Sequence, residues 1–147
     1  MGSQRQAIRV DGLLILLLAY GAASLFHYTH NAVFLNEYPN MPAWLSPTLV
    51  VAGWLGVTAV GLVGYFLLCR GYRFAGLVVV AVYGALGLDG LGHYSLAPLS
   101  AHTFTMNLTI WLEVVTAMLL LIAVAGLMVR WLRGGTSRRL KNSSAGG

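Results

Sequence analysis

Six side chains in this sequence have the types and spacing that chemistry requires: His27, His30, Asp89, His93, His102 and Glu113. Imidazoles and carboxyls together can ligate a metal ion, relay protons or polarise a bound molecule. Residues at i, i+3 and i+4 share a helix face. His27, His30 and Asn31 therefore make one polar face, and Asp89 with His93 makes another. His102, Met106, Thr109 and Glu113 form a third stripe, because the eleven residues between its ends are close to three helical turns.

Each of these faces lies in a long uncharged run. If the runs end near residues 32, 96 and 104, His27 and Asp89 lie roughly 8–11 Å below that level and Glu113 about 13 Å below it. His30, His93 and His102 ring the mouth above them. An ionised acid in hydrocarbon costs about 2.5–3.5 kcal/mol, so Asp89 and Glu113 must be protonated, paired or bound to a cation. No Lys or Arg falls at that depth, which leaves the histidines as partners.

Three readings of the cluster stay open. The first is a transition-metal site for iron, copper or zinc, given a His and carboxylate donor set without cysteine, with redox chemistry open to it. A haem held by His27 and His93 is a less favoured variant. The second is a hydrogen-bonded network, completed by Asn31, Asn107, Thr109 and tyrosines, that fixes helix packing in a non-catalytic membrane subunit. The third is a cavity lined by Asp89, Glu113, His27, Asn107, Trp111 and Trp54 that moves a proton on a small apolar ligand. In general plan this last arrangement resembles the sterol-isomerase-like membrane family, whose cavities combine acids, His, Asn and Trp; no motif here assigns a site by that resemblance.

The remaining polar features carry less. Glu37 belongs to a loop and is expected in solvent, and Met106 reads as packing. Asn107-Leu108-Thr109 matches a glycosylation sequon but falls inside an apolar run. Cys69 stands alone, so no intramolecular disulfide or thiol pair exists. The sequence has no Gly-rich phosphate loop and no Ser–His–Asp order.

The elements that position the cluster follow from composition. The 147 residues are 58% hydrophobic and 9% charged, with mean hydropathy +0.75. Soluble domains carry about 25% charged residues, so lipid is the solvent for much of this chain. Apolar runs at 11–32, 46–69, 74–95 and 104–131 each supply the ~20 residues that cross a bilayer as a helix. The expected fold is all-α: an integral membrane four-helix transmembrane bundle of two antiparallel hairpins, occupying residues 1–133. Residues 134–147, rich in Gly, Ser and basic side chains, are expected to be a disordered cytoplasmic tail.

Charge sets the expected orientation. Arg5 and Arg9 precede the first run, Arg70 and Arg73 separate the second from the third, and Arg130, Arg133, Arg138, Arg139 and Lys141 follow the fourth. Lys and Arg collect on cytoplasmic flanks, so both termini are expected in the cytoplasm of a plasma (inner) membrane protein. The net charge of +5 is accounted for in this way and implies contact with lipid headgroups, not nucleic acid. The first run continues past the small residues of a signal-peptide-like pattern, so it reads as an uncleaved span. A small apolar ligand and a larger membrane-protein partner are the other partners compatible with the pattern.

Two details bear on assembly. Ala19-Tyr20-Gly21-Ala22 followed by His27-Tyr28 has a counterpart in Val82-Tyr83-Gly84-Ala85 followed by His93-Tyr94, which suggests duplicated hairpins about an axis along the membrane normal. Gly84, Gly87, Gly90 and Gly92 crowd the third run and favour close helix approach. In the loop over residues 33–45, Tyr38 and Trp44 suit an interfacial aromatic belt.

Overall fold

The computed structural model describes the backbone of residues 2–144 and the side chains of residues 12–133. Helix α1 is Gly2–Val33, α2 Pro47–Cys69, α3 Arg73–Leu86, α4 His93–Leu96 and α5 Phe104–Ser144. Among the described residues there is no strand. Gly12–Val33, Pro47–Cys69, Arg73–Leu96 and Phe104–Arg133 are long and apolar enough to cross a membrane. The chain is an all-α membrane four-helix bundle. The side chains of the tail expected over 134–147 lie outside the described residues.

Around the bundle α1 packs on α2, α2 on α3, α3 on α5 and α5 on α1, leaving α1 diagonal to α3. One end carries the loops over residues 34–46 and 97–103 and is called the loop end below. The other carries Arg70, Arg73 and Arg130 and is called the arginine end. Its turn is tight because Gly71 takes a left-handed φ of 84°. Arg70 lies over the Phe66 ring at 4.6 Å, and Phe74 stacks on Trp131.

The surface and interior are inverted relative to a soluble bundle. Ile15, Leu18, Leu62, Phe104 and Ile122 are exposed, whereas Ser24, His27, Asn31, Thr109 and Glu113 are buried. Lipid gives apolar side chains little reason to go inside, so close packing and polar contacts must hold the helices together. Close packing is achieved with glycine. A Cβ on Gly64 would come within 2.8 Å of Val80, and one on Gly76 within 2.9 Å of the Leu68 backbone nitrogen. A core of Leu13, Leu17, Leu77, Val80, Ala117, Leu120 and Val124 fills the half nearer the arginine end.

The third span departs from the continuous helix expected over 74–95. α3 ends at Leu86, Asp89–Gly92 forms a 3-10 turn, and α4 then begins at His93. Gly87, Gly90 and Gly92 weaken the helix over one short stretch. The backbone stays satisfied by shorter bonds, such as Leu88 N–H to Ala85 O and Leu91 N–H to Leu88 O. The consequence is rotational. At three residues per turn, positions i and i+4 lie about 120° apart instead of sharing a face.

Candidate functional site: a buried polar line at the loop end

The site is built on one stripe of α1. Tyr20, Ser24, His27 and Asn31 recur every three or four residues and are all buried. Across from them α5 presents Thr109 and Glu113, also buried, with Met106 above. His93 enters from α4 and His102 from the connection to α5. That connection is fastened down by Asn107, whose amide donates to the carbonyls of Leu99 and His102 while its Oδ1 accepts from Tyr94 Oη at 2.8 Å.

The innermost contact pairs His27 Nε2 with Glu113 Oε2 at 3.7 Å, both residues at most 3% exposed. On its other face His27 Nδ1 reaches Thr109 Oγ1 at 3.4 Å. While the Thr109 hydroxyl donates to Met106 O at 3.0 Å, it accepts from His27. That assigns the ring proton to Nδ1 and leaves the Nε2 lone pair aimed at Glu113.

The line continues to the surface through a residue expected elsewhere. Tyr38, expected in the interfacial belt, is 3% exposed and sits among the histidines. The 3-10 turn Leu35–Glu37 folds the loop inward. Asn40 then reverses it with a left-handed φ of 57° and ties it to Leu96 O at 2.9 Å. Tyr38 Oη interacts with Thr109 and meets His30 Nδ1 at 2.9 Å. Its ring lies 4.9 Å from His93 and 6.4 Å from His102. Burial pushes the Tyr38 phenol up to about 12, so it stays protonated at neutral pH. Trp44 does stay exposed, as a belt residue should.

From the mouth inward the order is therefore His30, Tyr38, Thr109, His27 and Glu113. His93 and His102 flank this line. The His27 and His93 rings are 5.3 Å apart, and those of His93 and His102 are 6.1 Å apart. Asn31 Nδ2 donates to His93 Nε2 at 3.3 Å, and His102 Nδ1 donates to Pro98 O at 3.1 Å. His102 Nε2 is buried without a partner.

Five of the six sequence candidates thus gather at one end: His27, Glu113, His93, His102 and, through Tyr38, His30. Asp89 does not. It is exposed on the flank of the bundle, on a 3-10 turn that takes it off the buried face, and it acts on His93 and Glu113 through its charge alone. Trp111, expected to line a cavity, faces outward at 44% exposure. Among the described residues no three His, Cys, Asp or Glu side chains are grouped so as to hold a metal ion. Ser24 and Tyr20 were legible as the continuation of the His27 stripe but carry no charge to mark them. Tyr38 had no periodic signal, since it lies in a loop.

No protein-family model matches the chain, and no curated protein or solved structure is significantly similar to it. The site must be read from its own geometry.

Proposed function

We propose that this protein is a membrane proton-exchange protein whose Glu113–His27 pair takes up and releases a proton through the loop end, which faces the extracytoplasmic side. The observation that carries the reading is the succession of ionisable or hydroxyl groups from half-buried His30 to fully buried Glu113, with approaches of 2.9 Å at His30–Tyr38, 3.4 Å at Thr109–His27 and 3.7 Å at His27–Glu113. Imidazoles and hydroxyls both donate and accept, so a proton entering at His30 can leave at Glu113 by successive transfers. Beyond Ser24 and Tyr20 the interior is closed by Leu13, Leu17, Leu120 and Val124, so access is one-sided. A one-sided proton site suits delivery to a ligand or partner within the membrane, not conduction across it.

The assignment of the loop end to the outside rests on the clustering of every Lys and Arg in the other flanks. The same bias supports a plasma-membrane location with both termini cytoplasmic.

The test is infrared titration of the detergent-purified protein. A protonated-carboxyl band should rise and fall with pH, and Glu113→Gln should abolish it. A band that persists in Glu113→Gln, or one that never responds to pH in the wild type, refutes the reading.

A second reading, a transition-metal centre, is favoured by one observation: the buried, partnerless His102 Nε2 lies beside His93. Rotation of His93 and His27 towards it would assemble an imidazole set suited to copper, zinc or iron. Stoichiometric metal in purified protein, lost in His102→Gln, would support that reading over proton exchange alone.

A further inference from the structure

The line described above ends at Glu113, yet polar atoms continue past it. Tyr20 Oη, Ser24 Oγ and Glu113 Oε2 are all buried and have no hydrogen-bond partner in the protein. Their residues are at most 1% exposed. Ser24 stands one turn from both His27 and Tyr20 on α1, and its hydroxyl lies near the Glu113 carboxyl and the Tyr20 phenol without a close hydrogen bond to either. The three oxygens therefore belong to one small locus.

Its far wall is the broken end of α3. A Cβ on Gly90 would lie 3.4 Å from Glu113 Oε2, and one on Gly87 would lie 2.6 Å from Tyr20 Oη. At Gly87 only glycine lets the backbone approach so closely, and at Gly90 the wall stands at ordinary contact distance from the carboxyl. α3 terminates at Leu86, so the negative pole of its dipole points into the same region. Tyr83, tilted against Tyr20 with ring centroids 4.5 Å apart, closes the remaining side.

An all-oxygen donor set without thiolate selects a hard cation. One carboxylate among neutral hydroxyls balances a single positive charge, and any excess charge would be costly at this depth. No Lys or Arg is within the spans near Glu113 to serve instead. The wall that Gly87 and Gly90 set against Tyr20 and Glu113 restricts any occupant to a small ion. We propose that Tyr20, Ser24 and Glu113 form a binding site for a small monovalent cation, sodium, at the closed end of the polar line. The inference rests on Glu113 being the terminal group of the proposed proton path and names the second ligand of that same carboxyl.

Equilibrium dialysis of the full-length, detergent-purified protein against radioactive sodium tests it. Saturable binding of one ion per chain is expected at neutral and alkaline pH, displaced by lithium and not by potassium. Ser24→Ala and Tyr20→Phe should each weaken it by roughly tenfold or more, as expected for loss of one ligand. Glu113→Gln should abolish it; if that variant does not fold, the two conservative variants decide. Absence of saturable sodium binding, or binding unchanged in both Ser24→Ala and Tyr20→Phe, overturns the inference and leaves a trapped water as the occupant of these oxygens. The infrared band of Glu113 is read separately. A band that titrates without sodium binding retains the proton path and removes only the cation site.

Discussion

Thr109→Val puts the proposed path to its most direct test. Valine has nearly the same shape, so the packing of α5 against α1 is kept while the hydroxyl is lost. Thr109 is 0% exposed and stands between His27 Nδ1, 3.4 Å away, and Tyr38 Oη. Without it no group described here bridges those two. In the wild type the Thr109 hydrogen rests on Met106 O, so each transfer requires the hydroxyl to swing from that carbonyl. The residue is thus both bridge and gate.

Two magnitudes follow. The His27 Nδ1–H loses its acceptor in a buried place, which costs about 1–3 kcal/mol of stability. Protonation of Glu113 after a rapid pH change should slow at least tenfold, equivalent to roughly 1.4 kcal/mol of added barrier. Time-resolved infrared spectroscopy on the Glu113 carboxyl band reads the rate, and thermal unfolding in detergent reads the stability. Thr109→Ser, which restores the hydroxyl, should recover most of the rate. An unchanged rate in Thr109→Val, with the protein folded, would show that protons reach Glu113 by another route.

Other outcomes are expected. Tyr38 should be among the last tyrosines to ionise in an ultraviolet titration, because burial pushes its pKa up to about 12. Since that value exceeds the ~10 of an unfolded tyrosine, its stabilisation is whole below pH ~10 and is lost as pH rises through about 12, on the order of 3 kcal/mol. Tyr38→Phe should flatten that alkaline loss; an unaltered profile would contradict the burial of Tyr38 Oη. Gly87→Ala places a Cβ 2.5 Å from the Tyr20 ring and should destabilise by ~1–3 kcal/mol in thermal unfolding. Gly21→Ala, whose Cβ meets Tyr83 Oη at an ordinary 3.4 Å, should be tolerated. Asp89→Asn should leave the pH response of the Glu113 band in place, since Asp89 is exposed and off the line; its loss would show that Asp89 belongs to the path.

The fold was almost wholly legible, because hydrocarbon demands long apolar helices and the four runs are unmistakable against their charged flanks. The gathering of His27, His93, His102 and Glu113 towards one end of the bundle was legible for the same reason: helical rise converts position into height. What the periodicity missed was rotation. Treating residues 74–95 as one α-helix put Asp89 on one buried face with His93, whereas the glycine-weakened 3-10 turn leaves Asp89 exposed and His93 buried. Glycine content signalled close approach but not where the helix would unwind. Tyr38 was missed because its inward position depends on the left-handed Asn40 and its bond to Leu96 O, a contact across 56 residues.

The sequence resemblance between the two hairpins does not extend to the site residues. A twofold axis between α1 and α3 would bring equivalent residues together, and Tyr20 does lie on Tyr83 as His27 lies beside His93. Carried to the returning helices, the same relation pairs Trp54 on α2 with Trp111 on α5, each seven residues after the helix starts. Glu113 then corresponds to Gly56 and Thr109 to Ala52. The first hairpin supplies the stripe of Tyr20, Ser24, His27 and Asn31; the second supplies the acid and the hydroxyl bridge. In the counterpart of that stripe, the position three before His93 is Gly90, not a serine, and the helix there is broken. The two hairpins thus contribute different groups to the site. A proton site assembled from both halves needs the whole bundle, so neither hairpin alone should titrate.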